Sequence, residues 1–439
     1  MRRRDFLKTA ISAGGAAALG AGGVTGSATA AATAATAAAG YHVAGSDVLR
    51  VGLVGCGGRG TGAAAQALQA DAGARLVAMA DLFEDRLRGS LASLQKQSEL
   101  ASKLDVPPER QFVGFDGCER LLSAGVDVVL LATPPQFRPA HLRAAVDAGV
   151  HVFAEKPVAV DAPGVRRVLA ACEDAARKGL SVVSGLCLRY HYGFRELVRR
   201  VQDGAIGELH TLQANDYRGT IWVRRREPGW TDMHWQCRNW YYFTWLSGDF
   251  NVEQHVHFLD VCAWLMKDQY PASAVGMGGR QVRTGEEYGN IYDHHGVVYE
   301  YADGAKLFSN TRQMRGCHGD MSAAAAGSKG RASISESRGG LRITTAEGTW
   351  VYQGEENNIY QTEHDELFRS IREAKPINNG RYMALSTLLA IMGRMATYTG
   401  QKVTWEQALN SREDLSPDRL EWGPAPKAEI AMPGVMPLR

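Results

Sequence analysis

Short strand-like runs alternate with helical patterns through the first half of the chain. The strand-like runs are 48–54, 74–80, 126–132, 150–154 and 181–185. Unbroken apolar runs are typical of parallel strands that are covered by helices on both faces. Helical patterns occupy about 61–70 and 137–148 between the runs. The alternation predicts an α/β domain built on a parallel sheet.

The pattern changes in the second half. Apolar and polar residues alternate in 297–301 and 306–309, and residues 302–305 contain the Asp-Gly pair of a hairpin turn. This alternation indicates antiparallel strands with one buried face. Helices are predicted after Gly248 and over 382–397, and the Pro-rich tail from Pro417 is predicted to wrap the surface.

The N-terminus is predicted to be a targeting signal rather than a folded domain. Arg3-Arg4-Asp5-Phe6-Leu7-Lys8 resembles a twin-arginine export signal. Residues 10–39 contain 15 alanines, and these small side chains bury too little apolar area to form a core. The stretch is too poor in large apolar residues for a stable membrane span. We expect a periplasmic or otherwise exported protein, with the export machinery as a partner.

Composition narrows the possibilities further. The chain has 49 basic and 47 acidic side chains, a formal charge of +2, so we expect no nucleic-acid partner. The seven cysteines are irregularly spaced and include no C-x-x-C, so a disulfide framework or structural zinc site is not indicated. The 439 residues suggest two folded domains.

The first strand runs into Gly55-Cys56-Gly57-Gly58-Arg59-Gly60, a G-x-G-x-x-G motif. Gly55 permits the tight turn, Gly57 admits a pyrophosphate close to the backbone, and Gly60 lets helix and strand pack closely. Asp81 ends the second strand, where a carboxylate binds a ribose diol and repels a 2′-phosphate. The motif therefore predicts a dinucleotide, NAD in preference to NADP. Arg59 leaves NADP open, because it could neutralise a 2′-phosphate or contact the pyrophosphate.

Other polar residues follow later strands of the predicted parallel sheet. Thr133-Pro134-Pro135 follows the third run and Glu155-Lys156-Pro157 follows the fourth. Because ligands bind at the carboxyl ends of parallel strands, these residues are expected near the dinucleotide. Lys156 is the candidate catalytic residue among them.

Together these motifs resemble the Gfo/Idh/MocA oxidoreductase family, named for glucose–fructose oxidoreductase and inositol dehydrogenase. The motifs are the glycine-rich turn, residues 132–135, residues 155–157, Arg189-Tyr190 and residues 248–260. The resemblance implies an N-terminal Rossmann domain with a parallel sheet and a C-terminal α/β domain with a large open, mostly antiparallel sheet. The implied organisation is a signal and linker over 1–45, a NAD-binding domain over 46–190, a substrate-binding and oligomerisation domain over 191–405, and a tail over 406–439.

The resemblance also implies site residues. The family's catalytic lysine corresponds to Lys156, and its Asp-x-Gly-x-His corresponds to Glu253-Gln254-His255-Val256-His257, in which Glu and His replace Asp and Gly. The predicted cofactor-binding residues are Gly55, Gly57, Arg59, Gly60, Asp81, Thr133, Pro134, Glu155, Lys156 and Arg189.

Glu253 and His257 lie four residues apart, so one helix face would present both. The carboxylate would orient the imidazole, which would accept a hydroxyl proton. A metal site of Glu253, His255 and His257 with His294 or His295 is the alternative, although H-x-H on a helix does not converge. We therefore predict no metal.

Residues 217–245 are dense in aromatics, which suits a carbohydrate-binding cleft or ordinary packing. The predicted substrate contacts are Tyr217, Trp240, His255 and Tyr292.

The expected protein is an exported NAD(P)-dependent oxidoreductase acting on a sugar, polyol or glycoside hydroxyl, with tightly bound, recycled NAD. A NAD-dependent glycoside hydrolase working by oxidation, elimination and reduction is one alternative, and a non-catalytic sugar-binding protein is another. The open sheet implies a homo-oligomer.

Overall fold

The structure is a computed structural model, and it describes residues 48–337 and 339–439. The predicted export signal and linker over 1–45 lie outside the described residues. Within the described residues, no helix combines the length and apolar character needed to cross a bilayer.

Six parallel strands form the first sheet. They are β1 Leu49–Val54, β2 Ala74–Asp81, β3 Gln111–Val113, β4 Val128–Leu131, β5 His151–Ala154 and β6 Val182–Ser184. Their order is β3-β2-β1-β4-β5-β6, so the chain reverses direction across the sheet between β1 and β4. In sheets of this kind, ligands bind at the carboxyl ends of the strands beside that reversal.

Helices cover both faces of the first sheet, which confirms the predicted α/β alternation. They are α1 Gly58–Ala70, α2 Glu84–Gln95, α3 Gly117–Ser123, α4 Arg138–Asp147 and α5 Ala162–Arg177. The central strand β4 is buried along its length because helices pack on both sides of it. The helix expected from residue 61 begins at Gly58, so the glycines themselves form its first turn.

The second sheet has nine strands and follows in the chain. They are β7 Leu209–Arg218, β8 Ser273–Gly279, β9 His294–Glu300, β10 Lys306–Gln313, β11 Asp320–Gly327, β12 Gly330–Ile334, β13 Arg342–Thr345, β14 Gly348–Val351 and β15 Val403–Thr404. Their order is β14-β13-β12-β11-β7-β10-β9-β8-β15. Neighbours pair antiparallel except β7 and β10, so the predicted mostly antiparallel sheet is confirmed.

The remaining helices are α6 Tyr192–Gln202, α7 Asp232–Arg238, α8 Thr244–Ser247, α9 Phe250–Glu253, α10 Val256–Leu265, α11 Ile359–Arg372, α12 Gly380–Thr399 and α13 Trp405–Asn410. Helices α10 and α12 pack on one face of the second sheet. Strand residues alternate between faces, and the other face leaves Val275, Met277 and Phe308 exposed. This asymmetry gives the second sheet one buried face and one open face.

The segment after Gly248 departs from the single helix that was predicted. It forms α9, then breaks at Gln254 and His255, and continues as α10. The break places Glu253 and His257 on different helices, so helical stacking no longer relates their side chains. Helix α11 comes late in the chain but packs against α1, with Leu367 and Phe368 in the core of the first sheet.

Candidate functional site

The glycine-rich turn joins β1 to α1 at the carboxyl edge of the first sheet. Gly55 has a φ of +96°, and a Cβ there would lie 2.6 Å from the carbonyl carbon of Ala132. A Cβ on Gly60 would overlap the carbonyl oxygen of Gly55, whereas a Cβ on Gly57 or Gly58 would meet open space. Two glycines therefore permit close packing, and two leave the backbone open to approach.

No side chain caps the first turn of α1. The N–H groups at a helix start have no partner within the helix, and they carry partial positive charge. Gly57, Gly58 and Gly60 border a cavity at this position. The start of α1 is thus arranged to bind a phosphate group.

Asp81 ends β2 at the same edge of the sheet. Its carboxylate accepts hydrogen bonds from the backbone N–H groups of Cys56 at 2.7 Å and Phe83 at 2.8 Å. Burial raises the pKa of Asp81 above its usual value, although both hydrogen bonds oppose that rise. The two bonds fix the carboxylate beside the glycine-rich turn, where it can accept hydrogen bonds from ribose hydroxyls.

A cavity of about 480 Å³ opens between the glycine-rich turn and a segment of the second half of the chain. Residues from the carboxyl edge of the first sheet line one side, including Gly57, Asp81, Phe83, Arg86, Phe115, Thr133 and Pro134. Residues of 222–240 line the other side, namely Trp222, Arg224, Cys237, Arg238 and Trp240.

The residues around this cavity fit a dinucleotide. The open space at Gly57 admits a pyrophosphate, and Asp81 stands where a ribose would lie. Arg86 and Arg224 line the cavity without an ion pair to any described carboxylate, so they provide positive charge toward phosphate groups. Within the described residues, no group of histidine, cysteine and carboxylate side chains is arranged to hold a metal ion.

Arg59 lines the cavity, but its guanidinium is engaged elsewhere. It forms ion pairs with Glu155 and with the buried Glu363, the latter at 3.1 Å, and lies 4.6 Å from the ring centre of Tyr360. Burial and the nearby Glu155 raise the pKa of Glu363 well above its usual range, and the Arg59 guanidinium opposes that rise. Arg59 therefore connects the glycine-rich turn to the residue that precedes Lys156.

Lys156 follows β5 and points toward α9. Its ammonium group donates to the carboxylate of Glu253 at 2.9 Å and to the backbone carbonyl of Glu253 at 2.7 Å. Both side chains are largely buried, with exposed fractions of 14% and 12%. The pair links the first sheet to the helices that pack on the second sheet.

A sharp turn before α9 sets the position of Glu253. Asp249 has a φ of +80° and is fully buried. Its carboxylate accepts from the backbone N–H of Tyr292 at 3.0 Å and from the Tyr398 hydroxyl at 2.5 Å, and it pairs with His295 at 3.1 Å. These bonds stabilise a backbone conformation that a non-glycine residue rarely adopts.

His257 lies in the first turn of α10, and the positive charge of Lys156 affects its pKa. Burial, and then the charge of Lys156, hold the pKa of His257 well below its usual value, so the imidazole is neutral at pH 7. Its Nδ1 atom is buried and has no hydrogen-bond partner in the described part of the chain. The neutral ring is the form that accepts a proton.

Asp216 and Arg218, at the end of β7, complete the polar group around Lys156. They form an ion pair at 2.5 Å, and Asp216 is only 1% exposed. Their charges act on Lys156, Glu253 and His257. Alternation along β7 predicts that the side chains of residues 214, 216 and 218 lie on the sheet face that the helices cover. The alternation does not show that the end of β7 lies beside Lys156.

Two predicted substrate residues are enclosed rather than exposed to a cleft. His255 is fully buried, and its Nε2 atom is 2.9 Å from the Ser309 hydroxyl. Tyr292 is 2% exposed, and its hydroxyl donates to the carbonyl of Ala431. Both ring nitrogens of His295 are hydrogen-bonded, Nδ1 to Thr397 and Nε2 to Asp249.

The other two predicted substrate residues lie apart from each other. Tyr217 is adjacent to Asp216 on β7 and therefore projects from the open face of the sheet, where Arg312 lies 5.0 Å from its ring centre. Trp240 lines the dinucleotide-sized cavity. Arg189, a predicted cofactor contact, instead forms ion pairs with Asp260 at 2.8 Å and Asp268 at 2.6 Å away from that cavity.

The aromatic segment is mainly a packed cluster. Trp235, Tyr241, Tyr242, Phe243 and Trp245 are at most 7% exposed and pack together. These five side chains therefore contribute to packing, which was the alternative to a carbohydrate cleft. The segment also carries Trp222 and Trp240 to the wall of the cavity, a role that the sequence did not indicate because aromatic density alone does not show which surface it covers.

Part of the chain is similar to a known protein family. Residues 49–183 match the model of a family described as "Oxidoreductase family, NAD-binding Rossmann fold". This match confirms the fold and dinucleotide class predicted from the glycine-rich turn and Asp81.

Curated relatives extend the similarity. An inositol 2-dehydrogenase of Acidiphilium cryptum is 26% identical over 259 residues, which cover 59% of this chain and 66% of that relative. Inositol 2-dehydrogenase 3 of Saccharopolyspora erythraea is 27% identical and covers 59% of this chain and 65% of its own length. The chain thus matches slightly less than two thirds of the length of these relatives.

Solved structures share the fold over most of the chain. An aldose-aldose oxidoreductase from Caulobacter crescentus has a TM-score of 0.63 and 19% identity, covering 81% of this chain and 99% of its own. A putative myo-inositol dehydrogenase from Sinorhizobium meliloti has a TM-score of 0.57 and 19% identity, with the same coverage. At these identities the likeness shows a shared fold alone.

Proposed function

We propose that the chain is an exported oxidoreductase acting on a sugar, polyol or glycoside hydroxyl with tightly bound NAD. Residues 49–183 support this proposal, because they match the model of the NAD-binding Rossmann domain of the Gfo/Idh/MocA oxidoreductase family. One observation carries the proposal. The Lys156–Glu253 pair and the neutral His257 lie where the carboxyl edge of the first sheet meets the second.

Bound NAD supplies the hydride acceptor or donor. Oxidation of a carbinol removes a hydride from carbon and a proton from oxygen. His257 receives that proton, because its neutral ring is held ready to accept it. In the reverse direction the same group returns the proton to the carbonyl oxygen.

Lys156 acts on the oxygen of the reacting group. Its ammonium is held by Glu253 in a largely buried position, where a positive charge interacts strongly with a developing alkoxide. The second hydrogen bond, to the backbone carbonyl of Glu253, fixes the direction of the ammonium group. Lys156 thereby orients the substrate hydroxyl and stabilises negative charge on it.

The N-terminal sequence supports a resident cofactor. Residues 3–8 resemble a twin-arginine signal, and that pathway carries folded, cofactor-loaded proteins. Free NAD is scarce outside the cytoplasm, so a released cofactor would not be replaced. The proposal is that NAD is loaded before export and is reoxidised or re-reduced on the enzyme by a second substrate or within one turnover.

A homo-oligomer forms part of the proposal. Met277 is 80% exposed, and Val275 and Phe308 are exposed on the same open face of the second sheet. Burial of that face against a second copy would remove apolar surface from water.

The test is purification of the exported protein followed by denaturation and identification of any released nicotinamide nucleotide. The same preparation is incubated with a panel of sugars, polyols and glycosides, and products are read by mass spectrometry while absorbance at about 340 nm reports the redox state of NAD. We expect NAD to be released on denaturation and a carbonyl product to form. Protein that neither contains nor binds NAD would defeat the proposal.

The same assay separates the alternative activities. Net hydrolysis of a glycoside with no net change in bound NAD would identify oxidation, elimination and reduction within one turnover. Sugar binding without any product would identify a binding protein. The Lys156–Glu253 pair together with the neutral His257 favours chemistry over binding alone, because the two supply a positive charge for an alkoxide and a proton acceptor.

A further inference from the structure

We propose that residues 221–243 together with Trp422 form a clasp that closes over the adenosine end of the dinucleotide cavity and retains the bound cofactor. This inference rests on the proposed function. It assigns a cofactor-holding role to parts of the chain that follow the Rossmann domain.

The clasp forms one wall of the cavity. Trp222, Arg224, Arg238 and Trp240 line it opposite the carboxyl edge of the first sheet. Asp81 marks the end at which a dinucleotide's adenosine ribose binds. Phe83, two residues after Asp81, is buried in the same apolar cluster as Met233, Trp235 and Tyr241 of the clasp.

The side chain of Arg238 makes the principal polar contacts between the clasp and the Rossmann domain. Its guanidinium donates to both carboxylate oxygens of Asp85, at 2.6 and 2.7 Å, and lies 3.8 Å from the ring centre of Phe83. The bond to Arg238 lowers the pKa of Asp85 below its usual value, so the pair stays charged at neutral pH. Phe83 and Asp85 directly follow Asp81, so the clasp attaches beside the ribose-binding carboxylate.

Trp422, in the C-terminal tail, contacts both the clasp and the Rossmann domain. Its ring centre lies 5.0 Å from that of Phe115, 5.2 Å from that of His234 and 5.7 Å from that of Phe83. The carbonyl of Gly423 accepts a hydrogen bond from the backbone N–H of Met233 at 3.0 Å, which joins the tail to α7. The tail therefore fastens the clasp to two Rossmann aromatics that border the cavity.

The contacts explain why this wall retains a ligand. Separation of the clasp from Phe83 would break the Arg238–Asp85 bonds and the Trp422 contacts. The clasp also presents Arg224, which has no ion pair among the described residues, to an anionic ligand. A closed wall that contacts the bound ligand lengthens its residence time, because release must break those contacts and wait for the wall to open.

The test measures release of NAD rather than turnover. Protein loaded with radiolabelled NAD is mixed with a large excess of unlabelled NAD, and the label that remains bound is followed with time. Arg238→Ala, Asp85→Asn and Trp422→Ala are compared with wild type. Asp85→Asn serves as the variant least able to disturb folding, because the Asp85 side chain is 62% exposed.

We expect each clasp variant to release NAD at least tenfold faster than wild type. In a double variant, the effects of Asp85→Asn and Arg238→Ala on the NAD release rate should be no more than additive. Arg199→Ala removes exposed ion pairs on α6, and Trp350→Ala removes a tryptophan of β14, so both serve as matched controls and should release NAD at the wild-type rate. Wild-type rates in all clasp variants would overturn the clasp alone. Wild-type protein that fails to bind NAD at all would overturn the proposed function and the clasp with it.

Discussion

The ammonium group of Lys156 makes two bonds to one residue, Glu253: one to the carboxylate at 2.9 Å and one to the backbone carbonyl at 2.7 Å. Lys156 follows the fifth strand of the first sheet, and Glu253 ends a short helix in the second half of the chain. The bonds fix the lysine across the junction of the two sheets. Glu253 therefore positions Lys156, whereas the helical spacing in the sequence predicted that Glu253 would orient His257.

Lys156→Ala should reduce kcat/KM by about 10²–10³-fold, because it removes the positive charge that stabilises a developing alkoxide. The content of bound NAD should stay at the wild-type level, since the glycine-rich turn and Asp81 are untouched. Turnover of the identified substrate and nucleotide released on denaturation are the two measurements. Lys375→Ala, which removes a lysine whose side chain is 78% exposed, is the control. A loss of NAD equal to the loss of activity would show that Lys156 holds the cofactor instead.

His257→Gln should lower kcat by about 10²–10⁴-fold, because it removes the proton acceptor. In the wild type, burial and Lys156 hold the pKa of His257 below 6.5, so the active neutral form persists as the pH falls below that value. Replacing Lys156 by Met removes a nearby positive charge and should raise the pKa of His257. NMR titration of the His257 ring in the wild type and in Lys156→Met measures this shift. An unchanged or lower pKa in the variant would contradict the proximity of the two groups.

Gly57→Ala and Gly60→Ala should have opposite effects. A Cβ on Gly57 meets open space, so this variant should keep the Tm of NAD-free wild type but lose bound NAD, because the methyl group occupies the approach to the backbone. A Cβ on Gly60 overlaps the carbonyl oxygen of Gly55, so that variant should lose about 1–3 kcal/mol of stability. Thermal melts and nucleotide content measure the two effects. Full NAD content in Gly57→Ala would argue against phosphate binding at this turn.

His364→Leu should stabilise the protein. His364 is fully buried beside Phe153, with ring centres 4.3 Å apart, and neither ring nitrogen has a partner within the described residues. Burial holds its pKa well below 6.5, so the unfolded chain binds the additional proton and stability falls as the pH drops below 6.5. The leucine variant should gain about 1–2 kcal/mol at pH 7.

The pH dependence distinguishes this explanation from better packing alone. Between pH 6.5 and 5, the Tm of His364→Leu should fall less than that of the wild type, because one proton-binding group of the unfolded chain is gone. His318→Gln replaces an exposed histidine and should leave the slope unchanged. Equal slopes in wild type and His364→Leu would contradict the assignment.

Local pattern was sufficient for much of the molecule. Unbroken apolar runs predicted five of the six parallel strands and missed the three-residue β3, and alternation predicted β9 and β10 with the turn between them, because both periods report which faces are buried. The glycine spacing predicted the turn at Gly55 and the close packing at Gly60, since each depends on the absence of a Cβ at one position. The acid at the end of β2 followed from the same short motif.

Contacts between distant parts of the chain were decided only by the tertiary structure. The pairing of Lys156 with Glu253 rather than Glu253 with His257 depends on the helix break at Gln254, which helical spacing did not reveal. The aromatic segment is compatible in sequence with a sugar-binding cleft or with ordinary packing. Only the tertiary structure shows that this segment and Trp422 contact Phe83. The sequence determined what could bind at the first sheet, because a phosphate-binding turn is local. The fold determined what surrounds that site, because burial and charge pairing depend on residues hundreds of positions apart.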